Sequence, residues 1–138
     1  MILVDTGPLV ALFDPRDPYH DRARRMLEKQ REPLYTTVPV LTEAFHLLSP
    51  GSRGCAALRD FVVAGGLNVW FMDAEALARS FELMDSYADS PMDLVDASLV
   101  TAAEKLRTRR VLTVNRRDFG AYRLRRGHRH LVFEVVRC

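Results

Sequence analysis

Five short runs of branched or aromatic apolar residues punctuate this chain, and each gives way to a turn or helix-start signal. Residues 2–5 open with Ile2-Leu3-Val4 and stop at Asp5-Thr6-Gly7, the pattern of a fully buried strand. Leu34-Tyr35-Thr36-Thr37, Leu67-Asn68-Val69-Trp70-Phe71, Val111-Leu112-Thr113-Val114 and Leu131-Val132-Phe133-Glu134-Val135-Val136 read as the other four strands. Between them the period lengthens to that of helices. Gly7-Pro8 opens a short helix through about Leu12. Asp17-Pro18 reads as a cap and first-turn proline for a helix to about Gln30. Thr37 caps a helix with Pro39 in its first turn and Val40, Leu41, Ala44, Phe45 and Leu48 on its apolar side, and Pro50-Gly51-Ser52 ends it.

A further helix spans about Arg53 to Ala64 and stops at Gly65-Gly66. Asp73 caps the next, through about Tyr87. Ser90-Pro91 introduces one whose apolar stripe is Leu94, Val95, Ala97, Leu99 and Ala102. Strands separated by helices imply an α/β fold: a central, mostly parallel five-stranded sheet with helices on both faces. No linker or repeat interrupts residues 1–138, so a single domain is expected.

Composition narrows the class. The 138 residues are 48% hydrophobic, enough for one sizeable core. No run of about 18 apolar residues appears, so no membrane span is expected. The N-terminus lacks the parts of a signal peptide, and the two cysteines, Cys55 and Cys138, have no CxxC spacing. A cytoplasmic protein is the simplest expectation. The net charge of +2 hides a basic C-terminal third: from Lys105 onward ten arginines face only two acids, Asp118 and Glu134. A polyanionic substrate would need such a patch; a solvated face with self-association contacts is the plainer reading.

The acids themselves fall at one edge. Asp5 ends the first strand, Glu43 sits in the second turn of the helix after the second, and Asp93 and Asp96 share a helix face three residues apart. Asp118 follows the fourth strand. In open α/β sheets ligands bind beyond the carboxyl ends of the strands. Acids gathered there with no sulfur or nitrogen donor suit Mg²⁺ or Mn²⁺, and two such ions can clamp an in-line phosphoryl displacement. Helix caps and turns are the competing role for the same residues.

Four segments carry a family resemblance. Ile2 to Leu12 (ILVDTGPLVAL) resembles the opening of PIN-domain ribonucleases, especially the VapC toxins of toxin–antitoxin pairs. Leu41-Thr42-Glu43, Met92 to Val100 (MDLVDASLV) and Leu112 to Phe119 (LTVNRRDF) resemble their second, third and fourth motifs, in order along nearly the whole chain. The resemblance implies a metal-dependent endoribonuclease leaving a 5′-phosphate and a 3′-hydroxyl. It implies that Asp5, Glu43 and Asp96 are metal-site carboxylates with Asp118 as a fourth and Asp93 as a secondary acid. Thr6 and Thr113 would then be supporting hydroxyls. It also implies a homodimer and a VapB-like antitoxin that covers the site. Asn115 departs from a common form of the fourth motif, which has aspartate there; an asparagine can instead donate to a metal-bound water or a phosphate oxygen. Arg116 and Arg117, beside the fourth acid, are candidates for RNA phosphate contacts.

Other features point elsewhere only weakly. His128 and His130 have strand-face spacing without a cysteine or second acid, His46 reads as a surface residue, and Trp70 as packing. Ser98 has no nucleophile-elbow context, and no GxGxxG or Walker A spacing occurs. Two alternatives stay open. One is a catalytically silent PIN-like binding module, which Asn115 allows. The other is a phosphatase using Asp5 as nucleophile, which the absence of a second aspartate two residues on disfavours.

Overall fold

The computed structural model describes residues 1–89 and 91–137; Ser90, in the expected Ser90-Pro91 helix opening, and Cys138 lie outside the described residues. Along the chain run β1 (Ile2–Val4), α1 (Thr6–Phe13), α2 (His20–Lys29), β2 (Leu34–Thr37), α3 (Val38–Leu48), α4 (Arg53–Val63) and β3 (Asn68–Trp70). Then come α5 (Ala74–Ser86), α6 (Leu94–Leu106), β4 (Arg110–Leu112), α7 (Arg116–Ala121), β5 (Arg123–Arg126), β6 (Arg129–Val132) and β7 (Glu134–Val136). The main sheet has the order β3-β2-β1-β4-β7, and every pair in it is parallel.

That order makes β1 the centre and the β1–β4 boundary the point where the winding reverses, because β2 lies to one side of β1 and β4 to the other. Side chains alternate across a strand. Ile2 and Val4, in register with Leu34 and Leu112, form one face, and Pro8, Leu9, Ala23 and Met26 of α1 and α2 pack there. Leu3, Val111, Tyr35 and Thr37 are turned to the other face. There the Thr37 and Ser98 hydroxyls bond at 2.7 Å, which fixes α6 against β2.

Helix α6 is buried almost all round, from Ala97 to Ala103, beyond the single stripe its sequence suggests. It lies between the sheet and α5, and its two buried hydroxyls meet partners on each side: Ser98 with Thr37, and Thr101 with Ser80 at 3.0 Å. Pairing them keeps the polar atoms from costing stability in the core. Leu99 is wholly buried, and its truncation to alanine would cost about 2–5 kcal/mol.

Three expectations are corrected. Residues 131–136 are not one strand. Phe133 breaks the run, so that Leu131 and Val132 belong to β6 and only Glu134–Val136 join the main sheet. β6 instead forms an antiparallel hairpin with β5, turned at Gly127 with φ 61° and tied to α6 where Glu104 accepts from the Arg125 amide at 2.7 Å. His128 therefore sits in the turn and His130 on the strand, so the two do not share a strand face. Third, Asp17 does not cap α2. Its side chain takes the Tyr19 amide in a turn, and the helix begins at His20. Asp93 caps α6.

Candidate active site

Asp5 leaves β1 as the N-cap of α1, its Oδ1 accepting the Thr6 amide at 2.7 Å. Its own amide continues the sheet by donating to Leu112 O at 2.9 Å. The other carboxylate oxygen accepts the Thr113 hydroxyl at 2.7 Å. The two strands that meet at the winding reversal are thus joined at their carboxyl ends by a side-chain bond in addition to the backbone ladder. Asp5 is 7% exposed, and burial pushes its carboxyl above the usual range despite the two donors. The charges of Glu43 and Asp93 push the same way. The Thr6 hydroxyl, also buried, has no partner among the described residues.

Asp96 enters from α6. Asp93, one turn earlier, spends Oδ1 on the Asp96 amide at 2.8 Å, as a helix cap does. The Asp96 carboxylate accepts the Tyr122 hydroxyl at 2.7 Å. Burial raises the Asp96 pKa to about 7 against that donor, and Asp93, Asp5 and Asp118 add to the rise. Burial and the adjoining Asp96 raise the Tyr122 phenol in turn, so it stays a donor. Tyr122 has no counterpart among the expected site residues. It is wholly buried, edge-on to Phe119 and Tyr87 at 5.2 Å, and its sequence signal is only an aromatic one helical turn beyond Asp118.

The last corner is built by Asn115 and Asp118. Asn115 caps α7, its Oδ1 accepting the Asp118 amide at 3.3 Å, while its Nδ2 donates to Asp118 Oδ2 at 2.6 Å. The Asn115 amide itself donates to Thr113 Oγ1 at 2.9 Å. A chain of hydrogen bonds therefore runs Asp118–Asn115–Thr113–Asp5. Asn115 spends its donor on Asp118 and orients that carboxylate. Arg116 lies beside Thr113 and Val114 at the rim, and Arg117 is exposed on the same helix turn.

The structure thus brings Asp5, Asp93 and Asp118 within electrostatic reach of Asp96, and Glu43 within reach of Asp5. Among the described residues no three acids, histidines or cysteines converge as a ready-made cage for an ion. Asp96, Asp118 and Asp93 are each turned onto a donor of the chain itself. The donor set nonetheless suits a hard divalent cation: all oxygen, partly desolvated, and without a cation of the protein among them.

The PIN domain family model matches residues 2–124, which include every residue of this site. The chain belongs to the PIN domain family. Among curated proteins, this PIN domain is 28% identical over 137 residues to Ribonuclease VapC26 of Mycobacterium tuberculosis, covering 95% of this chain and 98% of that one. Among solved structures it resembles Mycobacterium tuberculosis VapC20, a Sarcin-Ricin loop cleaving toxin, with a TM-score of 0.74 at 23% identity over 80% of this chain and 87% of that one. A toxin–antitoxin complex from Klebsiella pneumoniae matches with a TM-score of 0.68 at 21% identity, over 88% and 92% of the two chains. The two structural likenesses show that the fold is shared.

Proposed function

We propose that this PIN domain is a divalent-metal-dependent endoribonuclease, the toxin of a type II toxin–antitoxin pair. The observation that carries this reading is the shared charge problem of Asp5 and Asp96. Both carboxyls are pushed upward by burial first and then by neighbouring acids, Glu43 and Asp93 at Asp5 and Asp93, Asp5 and Asp118 at Asp96, at the crevice where such folds bind ligands. Asp5, Glu43, Asp96 and Asp118 would hold Mg²⁺ or Mn²⁺, with Asp93 a secondary acid. Bound there, the ion supplies Lewis acidity toward the phosphodiester and an activated water.

The chain's own residues do the rest. Thr113 holds the Asp5 carboxylate in one rotamer, and Tyr122 does so for Asp96. Asn115 aims Asp118 and ties it through Thr113 to Asp5. Thr6, whose amide donates to Asp5, would support that carboxylate from the start of α1. Arg116 and Arg117 stand where the phosphates flanking the scissile bond would pass. The toxin reading brings with it a VapB-like antitoxin partner and a homodimer. It fits the ribonuclease relative and the toxin–antitoxin complex above. No helix of the described residues is long and apolar enough to cross a membrane.

The deciding experiment assays purified protein on structured RNA with Mn²⁺, with EDTA, and as Asp5→Asn. Cleavage is expected only with the ion. Asp5→Asn should lose about 100-fold or more, since even supporting residues of metal sites cost 10–100-fold. Cleavage that survives both EDTA and the substitution would refute the metal-dependent reading. Binding of RNA without any cleavage would mark a silent module.

A further inference from the structure

A cleft of about 470 Å³ lies away from the acidic pit, between α2 and the β4–β7 edge of the sheet. Arg22, Arg25 and Lys29 line one wall, and Arg110, Val136 and Arg137 the other. The α2 cations are spaced i, i+3 and i+7, so they form one stripe on the helix, about 10 Å long from Arg22 to Lys29. All three are exposed, and no carboxylate of the described residues pairs with Arg22, Arg25 or Lys29. Arg110 differs: it is already paired with Glu32 and Glu134, which leaves it as a wall of the cleft.

Arg22 links the cleft to the rim of the site. Arg22 also lines a smaller hollow of about 150 Å³ together with Tyr19, Thr113, Val114 and Arg116. Thr113 is the residue whose hydroxyl holds Asp5. The Arg22 guanidinium lies 5.7 Å from the Tyr19 ring centroid, a cation–π contact that keeps it at the junction. A row of cations, Arg116, Arg22, Arg25 and Lys29, therefore leads from the rim beside Thr113 down the α2 face.

We propose that this line is the path of the RNA substrate: a single strand with one phosphate in the acidic pit lays its neighbouring phosphates along Arg116, Arg22, Arg25 and Lys29. The inference rests on the nuclease reading for where the strand begins, and on the cleft for where it goes. Regularly spaced cations without protein counter-charges suit a chain of regularly spaced anions, and an exposed aromatic at the bend, Tyr19, offers a face on which a base can stack. Sequence reasoning placed the basic surface in the C-terminal third. The i, i+3, i+7 pattern of α2 is equally visible there, but only the fold shows that it adjoins Thr113.

The test measures affinity for a labelled single-stranded RNA in EDTA, so that cleavage plays no part. The combined variant Arg22→Gln, Arg25→Gln, Lys29→Gln is compared with wild type and with Arg59→Gln, which removes an exposed cation on α4. The triple variant is expected to keep its melting temperature and lose about tenfold or more in affinity. Its log–log salt slope should flatten by about 0.7 for each phosphate contact removed. Arg59→Gln should change neither. Unaltered affinity and slope in the triple variant would overturn the path, and Mn²⁺-dependent cleavage in the same preparation would show that the nuclease reading survives. Conversely, lost affinity supports the path even if no RNA is ever cleaved. If the triple variant binds RNA normally but loses a polyglutamate peptide that wild type retains, the cleft serves an acidic protein and the RNA path is refuted.

Discussion

The Tyr122 hydroxyl donates to Oδ2 of Asp96 at 2.7 Å, joining a fully buried ring to a carboxylate that burial holds near neutrality. The ring is fixed by its edge-on neighbours Phe119 and Tyr87, so the donor has little freedom to turn away. Without it, burial acts on Asp96 unopposed and its pKa rises further. Tyr122→Phe keeps the ring and is expected to cost about 1–2 kcal/mol of stability. Its Mn²⁺ affinity should fall near neutral pH and recover as the pH is raised. Calorimetric titrations at about pH 6.5 and 8.5 check this; equal losses at both would show that the hydroxyl does not act through Asp96 ionisation.

Metal-free stability should fall as pH rises. An acid with its pKa raised in the folded state keeps a proton there that the unfolded chain gives up. The folded state therefore binds more protons between the ordinary aspartate value, 3.8, and about 7. Stability is lost across that window and changes no further above it. Asp5, also raised, works in the same direction. In EDTA the melting temperature is expected to be higher at about pH 5.5 than at about pH 8, and Asp96→Asn should flatten the difference. A melting temperature that climbs over the same interval would contradict the assignment.

At the Asn115–Asp118 corner an amide stands where a second carboxylate could. Asn115→Asp replaces the donor 2.6 Å from Asp118 Oδ2 with a like charge. The EDTA-treated variant should melt lower, by about 1 kcal/mol or more in stability. Mn²⁺ should raise its melting temperature more than it raises that of the wild type. If Mn²⁺ stabilises both proteins equally, the corner faces away from the ion.

Gly7 sets how closely the segment after β4 can approach α1. A Cβ there would lie 2.6 Å from Cγ2 of Val114, the neighbour of Thr113. Gly7→Ala should push this segment outward and loosen the Thr113–Asp5 bond, reducing cleavage by about 10–100-fold, as expected of lost support at a metal site. Trimming the obstacle with Gly7→Ala plus Val114→Ala should restore most of the activity. A double variant as impaired as the single one would place the glycine's role elsewhere.

The main sheet was legible in sequence because its strands are nearly uninterrupted apolar runs, as buried parallel strands are. The hairpin was not. Its arms carry Arg123, Arg125, Arg126, Arg129 and His130, with Leu124 and Leu131 as the only pair turned inward, so no alternation stands out. Conversely, the nearly unbroken apolar run from Leu131 to Val136 merged β6 and β7 into one expected strand. At the site, the acids announced themselves by motif and by position at strand ends. Tyr122 did not, because a buried aromatic reads as core until its hydroxyl is seen to reach Asp96. Asn115 was legible as a departure, but its use as a cap and as the orienter of Asp118 depends on the turn into α7, which no motif displays. Asp93 was weighed as both cap and site acid. It is the cap of α6, and its charge is also felt at Asp5 and Asp96.

The bond between Asp5 and Thr113 spans 108 residues. β1 leaves the ribosome well before its neighbour β4, which cannot enter the sheet until the intervening residues have been made. Until then Asp5 has neither the Leu112 carbonyl nor the Thr113 hydroxyl, and Asp96 lacks Tyr122. On the nuclease reading proposed above, the acids therefore reach their final arrangement only once β4 and Tyr122 have joined the fold, and a chain stopped short of β4 would lack that arrangement.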